Sequence, residues 1–419
     1  MALALVPMAQ AEAASYRVPG DYATIQAAID VAASGDTVLV GPGTWTSETR
    51  SVVHCTNLVT STSVMFLKPG ITVIGTAGPE TTILDGGSAS GRSVNTLIME
   101  SVEGDPVRVM GFTITGQGNG LAWGCSGTRL ELVGCHVVGN GDLAIVGFDA
   151  RISLMGCVVS SNGSLQQGSS LQAVLLRIGG RFEATGTRFE GNPHGAISAQ
   201  RLSAVEVNDC EFVDHSGGGA VNVSGGFVTI RNSLFLRNRK AVPGLSGAAV
   251  SISQGIDATI EFCTFAYCSM LTGHGGAIDI APDATATIGN NTFYRCSASG
   301  IGSAVMVSGT ATVFGNLAVE CEDAFAAPVG NIDPFGSGCN LFWGNAENYS
   351  FWPEEATVTD VVADPEFCAP DLLDFTVRDS SPAAAANSGA CGQIGAHGVG
   401  CGSVSKEPTT WGRIKNAYR

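Results

Sequence analysis

Charge is sparse in this 419-residue chain, at 14% of residues, and between residues 37 and 345 the only lysines are Lys68 and Lys240. Aromatic residues make up 7%. No Cys-x-x-Cys pair and no adjacent Asp pair occurs, and no apolar run after residue 13 is long enough to span a bilayer. Each shortage excludes something. The charge spacings that support solvent-facing helices are almost missing, so a helical bundle is excluded. The formal net charge of -16 argues against nucleic acid as a partner, since general attraction to phosphate is lost. The cysteine spacing provides no zinc knuckle, and metal ligands are not clustered.

What is abundant is glycine, with 56 residues, and a repeat. Nine segments from Gly111 to Glu320 share one pattern, and their fourth residues are Ile114, Val137, Val159, Phe189, Phe212, Phe235, Phe265, Phe293 and Ala318. Two positions earlier stand Phe112, Cys135, Cys157, Thr187, Cys210, Ser233, Cys263, Asn291 and Asn316, and five earlier a column runs from Val109 to Val313. Three positions after the anchor come Asn140, Asn162, Asn192, His215 and Asn238, then Cys268, Cys296 and Cys321. Short alternating bursts repeated every 22 to 30 residues predict stacked coils of strand that bury one continuous core. The Asn column predicts a polar ladder at a turn, and Gly-rich strings such as Gly275–Ile278 predict the start of a third strand. About ten coils of three strands each are expected, with a triangular cross-section.

This repeat resembles the right-handed parallel β-helix of the pectin-lyase-like superfamily. The FLRN string at Phe235–Asn238 and the GGAI string at Gly275–Ile278 also resemble the FxxN and GGA[IV] repeats of polymorphic outer-membrane adhesins. Val18–Trp45 looks like the N-terminal cap and first coil of many such proteins, and Ala363–Cys401 looks like the end segment of secreted bacterial β-helix proteins. The resemblance implies an all-β solenoid and leaves activity open, because the fold hosts lyases, hydrolases, esterases and adhesins. Fragments of the polygalacturonase signature occur at Gly273-His274-Gly275 and Arg413-Ile414-Lys415, but the required Asp pair is absent.

The expected organisation is a secretory signal remnant at 1–13, an N-terminal cap with a helix over Tyr22–Ala33 at 14–36, the β-helix at 37–345, a Cys-rich C-terminal cap segment at 346–401 and a polar tail at 402–419. The helix should cover the first coil, because an open strand edge would pair with other chains. Residues Thr46–Pro69 are expected to project as a Ser- and Thr-rich loop. Of the 13 cysteines, Cys135, Cys157, Cys210 and Cys263 should be buried thiols. Cys339, Cys368, Cys391 and Cys401 lie where bridges would help, and Cys55 and Cys125 lie in long loops where they could pair.

The candidate site residues are Glu183, Glu206, Glu211 and Arg188. Coil alignment puts Glu183 and Glu206 at one outward position of successive coils, with Glu211 and Arg188 on another strand. Two stacked carboxylates repel unless a cation or an arginine lies between them, so calcium or an ion-pair network with Arg181, Arg188 or Arg231 is implied. Asp279, with Glu261 and Asp257, is a second candidate, and Trp45, Trp123, Trp343 and Trp352 offer flat faces for sugar rings. The expectation is an exported, extracytoplasmic β-helix, secreted or at the cell surface, that binds extracellular or cell-surface polysaccharide or serves as a structural module. It needs no cofactor, with calcium compatible. The alternative is a polysaccharide lyase or glycoside hydrolase using the Glu183, Glu206, Glu211 and Arg188 surface.

Overall fold

The structure, a computed structural model, describes residues 13–401 apart from 47, 55–56, 88–94, 100–103, 117–120, 125–126, 142, 164–171, 242–246, 254, 329–330 and 334. The signal remnant up to residue 12, Cys55, Cys125 and the 402–419 tail with its Arg413-Ile414-Lys415 string lie outside those residues.

The chain winds into a right-handed parallel β-helix. One coil shows the logic. Arg129–Val133 runs along a first face, turns a corner into His136–Val138 on a second face, and Ile145–Phe148 follows on a third. Each strand pairs in parallel with its counterpart one coil on, as Arg129 does with Arg151 and His136 with Val158. The second face is a sheet of 13 strands. The first and third faces belong to a single 24-stranded sheet, because Ile197–Asn208 and Val221–Arg231 continue through the corner as long strands.

Corner geometry explains the three-residue strands of the second face. The residue before each strand's inward Cys, Ser, Thr or Asn takes a left-handed conformation, as at Gly134, Gly156, Asp209 and Asn232. A second left-handed residue ends the strand, as at Gly139, Ser161, Asp214 and Arg237. Glycine, Asn and Asp tolerate this conformation best, which is why they recur there.

The register matches the repeat. Phe189, Phe212, Phe235, Phe265 and Phe293 pair one above another. Their rings stack at centroid separations of 4.8, 4.6, 4.7 and 5.1 Å. Offset stacking is what aromatic quadrupoles tolerate, and here the strand spacing imposes it. Val109, Leu132, Leu154, Ala184, Val207, Ile230, Ile260, Ile288 and Val313 form the facing column and are buried.

Two amide ladders run through the stack. In the first, Asn140 donates from Nδ2 to Asn162 Oδ1 at 2.9 Å, and Asn162 does so to Asn192 at 3.2 Å. In the second, Asn291 donates to Asn316 and Asn316 to Asn340, each at 3.1 Å. His215 interrupts the first ladder. Its Nδ1 lies 3.2 Å from both the N–H and the carbonyl oxygen of Asn192, while Nε2 is buried and without a partner among the described residues. Burial therefore lowers its pKa to about 4. A depressed imidazole stabilises the fold above its unfolded pKa, and that stability is lost as pH falls from about 6.5 toward 4. Relative to a His215→Asn variant, the wild type should lose about 2 kcal/mol between pH 7.5 and 5. Parallel denaturant titrations at the two pH values check this; equal pH slopes for the two proteins would contradict it.

The four ladder thiols Cys135, Cys157, Cys210 and Cys263 are free and buried, as are Cys268, Cys296 and Cys321. Burial raises the Cys135 pKa to about 11 and those of Cys210 and Cys263 to about 12. All seven should resist an alkylating reagent in native buffer and react once the chain is denatured without reductant. Rapid labelling of the native protein would show that the coils open.

The ends differ in part from expectation. The helix spans only Ile25–Val31, with Thr24 capping its start through a bond from the Ala27 N–H. Residues expected to project as a loop instead form an antiparallel pair, Glu48–His54 with Asn57–Leu67, and the latter strand joins the stack through Asn95–Met99. Its alternation of β-branched residues satisfies strand pairing, so Ser and Thr content alone misled. At the far end Trp352 packs on Phe325 and Tyr349. The chain then turns back, and Phe375, Val377, Ala383, Ala384 and Ile394 lie on the outer surface of the second face against Val213, Leu236, Ala266 and Tyr294. Two disulfides fix this strap. Cys339–Cys391 ties it to the coils, and Cys368–Cys401 closes its own hairpin.

Candidate functional site

With the strap covering much of the second face, the first face carries the exposed polar columns. Along each strand of that face alternate residues point outward, and the parallel register stacks them coil upon coil. One outward column reads Arg129, Arg151, Arg181, Ala204, Phe227, Asp257. Two residues along each strand, the neighbouring column reads Glu131, Ser153, Glu183, Glu206, Thr229, Thr259. The early coils are thus charged, while the later ones carry threonine, as at Thr287 and Thr312.

Glu183 and Glu206 stand opposite one another on successive coils, as their spacing implies. Arg181 lies between them. Its Nε donates to Glu183 at 2.5 Å and its Nη2 to Glu206 at 2.7 Å, which raises the arginine pKa through the Glu183 bond first. Glu211 and Arg188 lie on the second face, and Arg188 bridges Glu211 and Glu190, with its Nε 2.9 Å from Glu190. Hydrogen bonding to Arg188 lowers the Glu190 pKa. The four expected site residues therefore fall into two separate networks on two faces. Each carboxylate is met by an arginine, and the side chains remain 35–44% exposed. Pairs this exposed contribute roughly 0–1 kcal/mol each. No group of three or more metal-ligating side chains occurs among the described residues.

Asp279 does not face solvent as expected. It is buried, and its neighbour in charge is Lys240, also buried, whose Nζ donates to Asn222 Oδ1 at 3.2 Å and to the Gly247 carbonyl at 3.4 Å. Desolvation pushes the Asp279 pKa up to about 7 and the Lys240 pKa down to about 8. Of the tryptophans, Trp352 packs the end and Trp45 is half-buried against the core, while Trp343 is 42% exposed. The Trp123 side chain lies outside the described residues. His274 belongs to a turn, where its Nδ1 accepts from the Ile301 N–H at 3.0 Å.

The arginine column is what sequence reasoning missed. Arg129, Arg151 and Arg181 each stand eight residues before their anchor, so the signal was there at a constant offset. They line an open groove of about 630 Å³ together with Asp149 and Phe227, the latter 47% exposed. A smaller groove of about 200 Å³ on the other side of the same arginines is lined by Glu131, Ser153 and Glu183. A further one, of about 360 Å³, runs between Glu206, Asn208 and Arg231. A second large groove, about 580 Å³, lies under the strap beside Tyr294, Trp343, Glu366 and Arg378.

The family model for the right-handed β-helix region matches residues 95–265 and 172–349, which together cover more than half of the sequence. The chain belongs to the right-handed β-helix family. Among solved structures it is similar to pectate lyase Pel9A, at 12% identity over 92% of this chain and 96% of that one, with a TM-score of 0.47. It is similar also to PfbA, a surface adhesin of Streptococcus pneumoniae, at 13% identity over 78% and 87%, TM-score 0.40. The PL6 family alginate lyase AlyGC gives 14% identity over 94% and 60%, TM-score 0.37. No curated protein sequence matches. At these identities none of them brings an activity to this β-helix protein. No helix among its described residues is long and apolar enough to cross a membrane.

Proposed function

We propose that this chain is an extracytoplasmic β-helix protein that binds polysaccharide along the outward first face of its early coils. The observation that carries the reading is the continuous column of Arg129, Arg151, Arg181, Ala204 and Phe227 lining one groove. A polymer lying along the stack would meet one outward side chain per coil, at about 4.8 Å intervals. Phe227 offers an aromatic face to a sugar ring, and Ala204 leaves space beside it. The carboxylates Glu183 and Glu206 hold Arg181 in place, which suits a binding role for them, and no calcium is needed to separate them.

A glycan array probed with the full chain, beside an assay for new unsaturated or reducing sugar ends, tests this. Binding without turnover is expected. A Glu206→Gln variant should keep the fold, with a melting temperature near that of the wild type. Release of sugar ends by the wild type that disappears in this variant would instead favour a lyase or hydrolase using the Glu183, Glu206, Glu211 and Arg188 surface.

A further inference from the structure

Lysine is seldom fully buried, because its ammonium loses hydration that few interiors replace. Lys240 is 1% exposed. Its backbone bridges Gly218 in antiparallel fashion, and its stem lies against the glycine corner, where a Cβ on Gly219 would stand 3.5 Å from Lys240 Cδ. The stem thus reaches the start of the third face, where Nζ meets Asn222 Oδ1 at 3.2 Å and the Gly247 carbonyl at 3.4 Å. The Asn222 amide is itself held, since its Nδ2 donates to the Gly218 carbonyl at 2.8 Å and to that of Gly219 at 3.4 Å. Asn222, Ser251 and Asp279 are register partners on successive coils. Asp279 is 9% exposed, and its charge acts on Lys240. A primary amine, a carboxamide and a carboxyl group therefore share one poorly hydrated place. Lys68, the other lysine of the coils, instead donates to the main-chain carbonyls of Asp30 and Ala32 at 2.9 and 2.7 Å.

We propose that Lys240 and Asn222 form an intramolecular amide cross-link, assisted by Asp279. The amide carbon Cγ lies one C=O bond beyond Oδ1, so Nζ is no more than about 4.4 Å from it. Rotation about the lysine χ angles covers the step to the roughly 3–3.5 Å of a reacting pair. Burial brings the two titrations together, with Lys240 down to about 8 and Asp279 up to about 7, so a neutral amine beside a neutral acid is an accessible state. In that state the ammonium has given one proton to the carboxylate. The Nζ lone pair attacks Cγ, the Nζ–Cγ bond forms and the Cγ–Nδ2 bond breaks. A second Nζ proton passes to Nδ2, which leaves as ammonia, and the proton on Asp279 returns to solvent. One amide replaces another, nothing is oxidised or reduced, and escape of ammonia makes the exchange one-way. The bond joins the strand Val221–Arg231 to the corner strand Arg239–Lys240.

Tryptic mapping by mass spectrometry of the reduced and denatured full chain tests this. Trypsin should fail to cut after Lys240 and should yield one branched peptide that joins Leu202–Arg231 to Lys240–Arg295, lighter than the two together by one ammonia. Lys240→Arg and Asn222→Ala should each give unjoined peptides. Asp279→Asn should also give unjoined peptides while keeping the native circular dichroism spectrum. The wild-type map decides the matter whatever the stability of the variants. Separate peptides of full mass from the wild type would overturn the proposal. So would a loss of ammonia confined to Leu202–Arg231 with normal cleavage after Lys240, which is the mark of a cyclic imide at Asn222. A branched peptide in full yield from Asp279→Asn would overturn the part given to Asp279.

Discussion

Phe235→Ala is expected to destabilise the protein by about 3–5 kcal/mol, the cost of removing a large aromatic from a packed core. Phe235 is fully buried and its ring lies between Phe212 at 4.6 Å and Phe265 at 4.7 Å, so truncation removes two stacking contacts together and opens a void in mid-column. A solenoid spreads such damage to nearest neighbours, since each coil rests only on those beside it. The midpoint of chemical denaturation, followed by far-UV circular dichroism, reads the loss. A variant that melts like the wild type would show that the aromatic column does not support the stack.

The second large effect is expected at the strap. Replacing Cys339 and Cys391 together with alanine removes a link between residues 52 apart in sequence. The chain-entropy relation puts its worth at about 4 kcal/mol. The loss should have a local signature, because Cys391 is what ties the returning strap to the coils. Limited proteolysis should then cut between residues 363 and 401 well before the coils unfold, as expected when a region loses its tether. Cleavage that begins within the coils, or an unchanged digestion pattern, would contradict that picture.

The solenoid was legible because its evidence is periodic. The anchor column from Ile114 to Ala318 and the facing column from Val109 to Val313 were aligned from residue spacing, and the strand register matches that alignment at every coil. The free ladder cysteines followed from the same alignment. The stacking of Glu183 on Glu206 was also legible, being a property of register.

What was not legible depends on contacts between distant parts of the chain. The strap docks on Val213 and Leu236 from well over a hundred residues away, and no spacing rule announces that. The apolar outward positions at Val213, Leu236, Ala266 and Tyr294 were its trace, since an exposed strand face would alternate. Asp279 was read as a surface residue, whereas it is buried near Lys240, whose ammonium is held by Asn222 and the Gly247 carbonyl, contacts that no spacing along one strand reveals. The arginine column was overlooked for a different reason. Its trace is an arginine eight residues before three successive anchors, and an offset shared by only three coils is a weak periodic signal.

A polysaccharide-binding surface on the outward first face of the early coils should depend on Phe227. Phe227→Ala tests it most directly, because this residue is exposed and belongs to no ion pair, so its loss alters the groove without altering charge. Isothermal titration of wild type and variant with the strongest polysaccharide found on the array is the measurement. About tenfold weaker binding by the variant is expected, in line with the loss of one aromatic contact to a sugar ring, at an unchanged melting temperature. Equal affinity for both proteins, together with equal affinity for an Arg151→Gln variant, would place binding elsewhere on the molecule and contradict the proposed function.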